Sequence, residues 1–201
     1  MDVGILARGI IIGVSIAAPV GPIGVLVIRR TLAEGRIAGL VTGLGVATAD
    51  ALYGSIAGFG LTFLSSLLIS QQGWIRLIGG LFLCYLGIRT LVATPAERGA
   101  TIDEPNLLYA YISTFLLTLT NPLTILSFVA ILAGLGIGSA SRDYASAAIL
   151  VLGVFAGSGL WWLTLSSGVN LLRGRINAHA LRWINRVSGV IILGFGLLAL
   201  F

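Results

Sequence analysis

The chain has no lysine, one cysteine, one histidine and seven acidic residues among its 201 positions. Each shortage excludes something. With Cys84 alone, no disulfide and no thiol relay within the chain can form. Cys84 and His179 lie far apart and supply too few ligands for a built-in transition-metal site. A lone histidine leaves little material for a hydrolase, and no Ser/His/Asp set is visible. No phosphate-cradling loop or nucleotide motif occurs. The sequence therefore predicts neither an enzyme nor a resident metal or cofactor. Charge is scarce too: 9% of residues are charged, against roughly 25% in soluble domains. What is there instead is apolar, 57% of residues at a mean hydropathy of +1.06. A soluble fold has too little interior for this, so the composition is that of an integral membrane protein.

All 12 basic residues are arginines, and they punctuate the ends of apolar runs rather than forming a dense patch. That excludes a nucleic-acid surface and fits the membrane pattern. Six spans are read, at about 5–28, 39–69, 74–92, 107–135, 144–172 and 181–201. Several exceed the ~20 residues that cross a bilayer, so tilt or breaks are expected. The first connection is read as holding Arg29, Arg30 and Arg36, the third Arg89 and Arg98, and the fifth Arg173, Arg175, Arg182 and Arg186; only Arg8, Arg76 and Arg142 fall on the other side. The odd connections are predicted to face the cytoplasm and both termini the outside. In a bacterium this is the inner membrane.

The chain repeats itself. Trp74, Ile75, Ile78, Gly80 and Gly87 recur as Trp183, Ile184, Val187, Gly189 and Gly196, at an offset of 109. Gly45, Val46 and Leu52 match Gly153, Val154 and Leu160 at 108, which sets Asp50 opposite Ser158 and Tyr53 opposite Trp161. Pro19 falls against Pro122 at 103. Three spans per half is an odd number, so the second half must enter the membrane inverted, with the site expected where the halves meet. The predicted fold is all-α: one polytopic domain over 1–201, with repeat A at about 1–93, repeat B at about 107–201 and a polar cytoplasmic connection over 94–106. Helices 1 and 4 are expected to be broken. A homodimer through glycine-rich faces is a further expectation.

The breaks carry the candidate site. Pro19-Val20-Gly21-Pro22 interrupts the first apolar run. Each proline removes a backbone hydrogen bond and the glycine adds slack. Such backbone survives at membrane depth only where protein buries it or a cavity accepts it. A half-helix starting near Pro22 would aim its positive end, with free N–H groups near Gly21, Ile23 and Gly24, at an anion. Asn121-Pro122 supplies the second break, flanked by Thr118, Thr120 and Thr124. Asp50 is the charged residue deep within a span, on a small-residue face of Gly39, Gly43, Ala47, Gly54 and Gly58. A carboxylate there costs ~2.5–3.5 kcal/mol on insertion scales, which makes it a functional candidate. Asp50 is a candidate proton-coupling group and a partner for an ammonium. A positive helix end and a carboxyl group together suit an amino acid.

Ala18-Pro19-Val20-Gly21-Pro22-Ile23, Arg29-Arg30, Gly35-Arg36, Gly39, Gly43-Leu44-Gly45, Ala49-Asp50 and Asn121-Pro122 resemble the motifs of the LysE family of amino-acid exporters. The resemblance implies export of an amino acid or similar small zwitterionic or cationic solute, driven by a proton gradient or the membrane potential. Its motif positions map onto Pro19, Gly21, Pro22, Asp50, Asn121 and Pro122. Val20 departs from the compact Pro-Gly-Pro of many relatives, and Ile23, Gly24 and Val25 stand where relatives often carry a polar residue. Two alternatives stay open at this point: a divalent metal-ion exporter of the same superfamily, and a membrane assembly protein that carries no solute.

Overall fold

A computed structural model describes residues 3–19, 21–59, 70–93, 106–121, 124–125, 127–128 and 144–200. Seven helices are found among them: α1 (Val3–Ala17), α2 (Pro22–Glu34), α3 (Arg36–Gly58), α4 (Gln72–Leu91), α5 (Leu107–Leu119), α6 (Tyr144–Arg173) and α7 (Ala178–Leu200). Helices α3, α4, α6 and α7 are each long and apolar enough to cross a bilayer. The chain is thus an all-helical, multi-pass membrane protein. The outer faces of α4 and α7 leave Ile78, Leu81, Ile88, Val190 and Leu198 more than half exposed. In hydrocarbon such faces meet lipid.

The first span is not one rod. Helices α1 and α2 pass the spanning test only as a pair, and their axes meet at 83°. Pro22 occupies the first turn of α2, where its missing N–H is no loss. Helix α5 has 13 residues, roughly 20 Å at 1.5 Å per residue, short of a ~30 Å hydrocarbon core. It starts at Asn106, whose Oδ1 accepts from Tyr109 N at 2.8 Å, and ends at Thr120, just before the Asn-Pro pair. Helix α7 begins three residues before the expected start, because Asn177 Oδ1 caps it by accepting from Ala180 N. Pro122, and most of the expected fourth span beyond it, lie outside the described residues, as do residues 60–69 of the second.

Glycines set how closely the helices approach. Gly9 and Gly13 of α1 lie on Gly153 and Gly157 of α6, so that a Cβ on Gly9 would meet Leu150 O at 2.5 Å and Gly153 Cα at 2.8 Å. The two helices run the same way. Helices α4 and α7 run opposite ways, Gly80 against Gly196 and Gly87 against Gly189. Helix α3 lies between α5, which runs alongside it, and α6, which runs against it. Gly45 meets Tyr111 and Thr114 on one flank; Gly43 meets Trp162 and Gly54 meets Val154 on the other. Without a hydrophobic drive between helices in lipid, such close contact is what holds them together.

One expectation needs correction. Arg29 and Arg30 do not lie in the first connection, because α2 continues through them to Glu34 and the turn into α3 is Gly35 alone. Gly35 has φ +104° and ψ 172°, a region essentially reserved for glycine. The guanidinium of Arg30, 3% exposed, enters the gap between α3 and α5. It donates to Ala110 O and Ser113 Oγ, each at 2.9 Å, and to Thr42 Oγ1 at 3.3 Å. Tyr109 packs its ring against Arg30 on one side and Arg89 on the other. Arg29 donates to Asn185 Oδ1, and Arg173 donates to Leu32 O and Ala33 O at the last turn of α2. Cations at a helix C-terminus are favourable. Helix α2 is therefore tied at its C-terminal end to α3, α5, α6 and α7.

Candidate functional site

The other end of α2 opens on a cavity of about 170 Å³. Pro19, Gly21, Pro22, Ile23 and Gly24 form its corner, from the break between α1 and α2. Asp50 of α3 and Asn121, Thr124 and Ser127 supply polar groups, and Ile16, Ala17, Val46, Trp162 and Phe195 supply apolar wall. Seven of the eight residues singled out in the sequence thus line one space; the eighth, Pro122, lies outside the described residues. The break after α1 and Asn121 both border it.

The corner is electrostatically positive by construction. Gly21 precedes α2 with no side chain to cap it, so the first N–H groups after Pro22, those of Ile23 and Gly24, have no intrahelical acceptor. The helix dipole adds to them, equivalent to roughly half an elementary charge. Among the described residues a Cβ on Gly21 would meet nothing within 4 Å, and Gly21, Ile23 and Gly24 all border the cavity. The glycine is not there for an unusual backbone angle: its φ of −105° with ψ −166° is extended.

Asp50 is 1% exposed and lies where α3 crosses α6. Its Oδ2 accepts from Ser158 Oγ at 2.7 Å, and Ser158 Oγ in turn accepts from Trp162 Nε1 at 3.2 Å. Its Oδ1 is buried with no hydrogen-bond partner among the described residues. A buried carboxyl oxygen left unpaired is costly unless a proton or a ligand meets it. The small-residue face of α3 turns out to serve both packing and space. Gly39, Gly43 and Gly54 fit against Thr31, Trp162 and Val154, while Val46 and Asp50 between them border the cavity.

The threonines that flank the Asn121-Pro122 break split by role. Thr118 Oγ1 donates to Thr114 O and Thr120 Oγ1 to Leu116 O, so both satisfy carbonyls of α5. Thr124, 8% exposed, borders the cavity. Tyr53 donates to Leu119 O at 2.6 Å, stacks near Phe128 and contributes to packing rather than to the cavity wall. Trp74 and Trp183 are mostly exposed at helix starts, as interface anchors are. Sequence reasoning did not single out Ser127, Phe195 or Ser158 as site residues. For Ser158 a signal existed, since the 108-residue offset sets it opposite Asp50. For Ser127 and Phe195 nothing in the local sequence marks them.

The chain matches the profile of the LysE type translocator over residues 14–201. It is 30% identical over 192 residues to the "Putative amino acid efflux protein YcgF" of Bacillus subtilis (strain 168), covering 93% of this chain and 90% of that one. It is 30% identical over 176 residues to the "Uncharacterized membrane protein YahN" of Escherichia coli (strain K12), covering 84% and 78%. The "Threonine efflux protein" of Salmonella typhi is 25% identical over 190 residues, with 88% of each chain covered. No solved structure matches. The family match spans nearly the whole chain and includes both breaks and the buried carboxyl: the protein belongs to the LysE family of translocators.

Proposed function

We propose that the protein exports small neutral amino acids across the bacterial inner membrane in exchange for protons, with the cavity at the head of α2 as the solute site. One observation carries this reading. Asp50, whose buried Oδ1 has no hydrogen-bond partner among the described residues, and the uncapped N-terminus of α2 border the same small cavity. An amino acid has an ammonium group for the first and a carboxylate for the second. Its side chain is left to the wall of Ile16, Val46, Trp162 and Phe195, with Thr124 and Ser127 beside it.

Exchange follows from having one carboxyl group. Asp50 holds either the ammonium of the solute or a proton, not both. Loading the solute from inside expels the proton, and a proton arriving from outside releases the solute. The broken helices act as hinges, and the glycine seams let the halves move. Reciprocal contacts support two inverted halves. Asp50 bonds to Ser158, its counterpart at the 108-residue offset. At the 109-residue offset the contact of Gly80 with Gly196 maps onto that of Gly189 with Gly87. This is the pattern of a two-fold interface. It is also the arrangement expected of a transporter with a midplane site.

The same cavity sets the charge of the solute. Asp50 is the lone acid bordering it among the described residues. With that carboxylate engaged by the α-ammonium, a second cationic group on the solute has no partner. Proteoliposomes loaded with labelled amino acids and given a proton gradient should release small neutral amino acids faster than lysine or arginine by at least tenfold, about 1.4 kcal/mol of discrimination. Preferred release of a cationic amino acid would refute the neutral-solute reading. No flux of any amino acid would refute the exporter.

A further inference from the structure

We infer that Trp162, acting through Ser158, is the positioning residue that links occupancy of the solute cavity to the proton on Asp50. The inference rests on the exchange reading above and adds the residues that make the link.

The direction of the chain is fixed by chemistry. An indole N–H only donates. Trp162 Nε1 lies 3.2 Å from Ser158 Oγ, so this hydroxyl oxygen is the acceptor. The single proton of Ser158 is then free to go to Asp50 Oδ2, 2.7 Å away. One lone pair of Oδ2 is thereby occupied, and Oδ1 is left as the freer oxygen for a proton or an ammonium. That oxygen is the one left unpaired. Trp162 meanwhile lines the cavity wall, 4% exposed. A solute side chain therefore presses on the same indole whose N–H sets the Ser158 hydroxyl. A small rotation of the ring lengthens the bond to Ser158 and changes how well Oδ2 is served.

Among the described residues no other titratable side chain hydrogen-bonds to Asp50. Tyr53, on α3 itself, gives its hydroxyl to Leu119 O, and Tyr111 of α5 gives its hydroxyl to Thr48 Oγ1. On α2, Arg29, Arg30 and Glu34 lie toward the tied end, where Arg30 meets Thr42, roughly 12 Å along α3 from Asp50 at 1.5 Å per residue. Tyr109 of α5 packs on Arg30 there, and Arg173 of α6 caps the last turn of α2.

The test compares the pH profile of neutral amino-acid efflux in the unaltered protein, Ser158→Ala, Trp162→Phe and Asp50→Asn. Ser158→Ala should move the midpoint by roughly one pH unit, the worth of one charge-assisted hydrogen bond. Trp162→Phe keeps an aromatic ring, smaller than the indole, and removes the N–H. It should move the midpoint in the same direction by a smaller amount. A residue that merely packs would change the rate and leave the midpoint in place. A shift in Ser158→Ala with none in Trp162→Phe overturns the role of Trp162. No shift in either, with the pH dependence lost in Asp50→Asn, overturns the link and leaves proton exchange standing. Persistence of the pH dependence in Asp50→Asn overturns proton exchange itself and the link with it. A measurement on the unaltered chain guards against misfolded variants. The indole N–H resonance of Trp162 should titrate with the efflux midpoint and stop titrating in Asp50→Asn; an indifferent resonance would overturn the inference.

Discussion

Asp50→Asn is expected to give a protein that folds and inserts normally yet exchanges solute at less than a tenth of the original rate, with its proton dependence gone. The side chain keeps its size. The amide oxygen still accepts from Ser158, which now donates to it at the place of Oδ2. The amide NH₂ replaces the unpaired Oδ1. Stability should hold or rise, because the ionisable group that costs ~2.5–3.5 kcal/mol at the bilayer centre has been removed. What is lost is the charge that holds an ammonium and the site that holds a proton. The NH₂ group is a donor where the solute also brings donors. Efflux assays at two pH values, beside a thermal melt of the detergent-solubilised protein, separate this outcome from misfolding. A variant that keeps both its rate and its pH response would reduce Asp50 to a structural hydrogen-bond partner.

The second large effect concerns the seam between α1 and α6. Gly13→Ala adds one methyl group and should nevertheless destabilise the protein strongly. The added Cβ would run into Val154 O and would lie 2.8 Å from Ser158 N. Both are backbone atoms of α6, so no side chain can turn aside. Overpacking costs typically 1–3 kcal/mol, and here relief requires the helices to separate along a line that Gly9, Gly153 and Gly157 share. The displaced backbone carries Ser158 and hence the partner of Asp50. Gly159→Ala is the control: two residues along α6 from Gly157, its Cβ would meet nothing within 4 Å. It should stay within about 0.5 kcal/mol of the original. Melting temperatures of both variants check this, and equal stability of the pair would remove the seam as a determinant of the fold.

Much of this was legible in the residues. Pro19, Gly21 and Pro22 mark a broken helix because proline chemistry is local, and Asp50 stands out because charge is so scarce. The glycine seam is legible too, as Gly9-x-x-x-Gly13 and Gly153-x-x-x-Gly157. Other features were not legible, for stated reasons. Arg29 and Arg30 read as topology signals by their sign, yet Arg30 is buried because three oxygens from α3 and α5 converge on it. Convergence from distant segments leaves no local trace. The same holds for Phe195, which reaches the cavity from the last helix. The sequence offers Ser158 as a counterpart of Asp50; that the two touch depends on the crossing of α3 and α6.

The most direct measurement of whether solute occupies the head of α2 uses a cysteine placed there. Cys84 is the single native thiol. In a Cys84→Ala background, Gly21→Cys puts a thiol where the backbone is extended and where a Cβ has open space around it. The variant should export neutral amino acids. A small polar thiol reagent should then block export, and saturating solute should slow the modification in proportion to its occupancy. Modification that leaves export intact, or that proceeds at the same rate with and without a transported solute, would contradict a solute site at this corner.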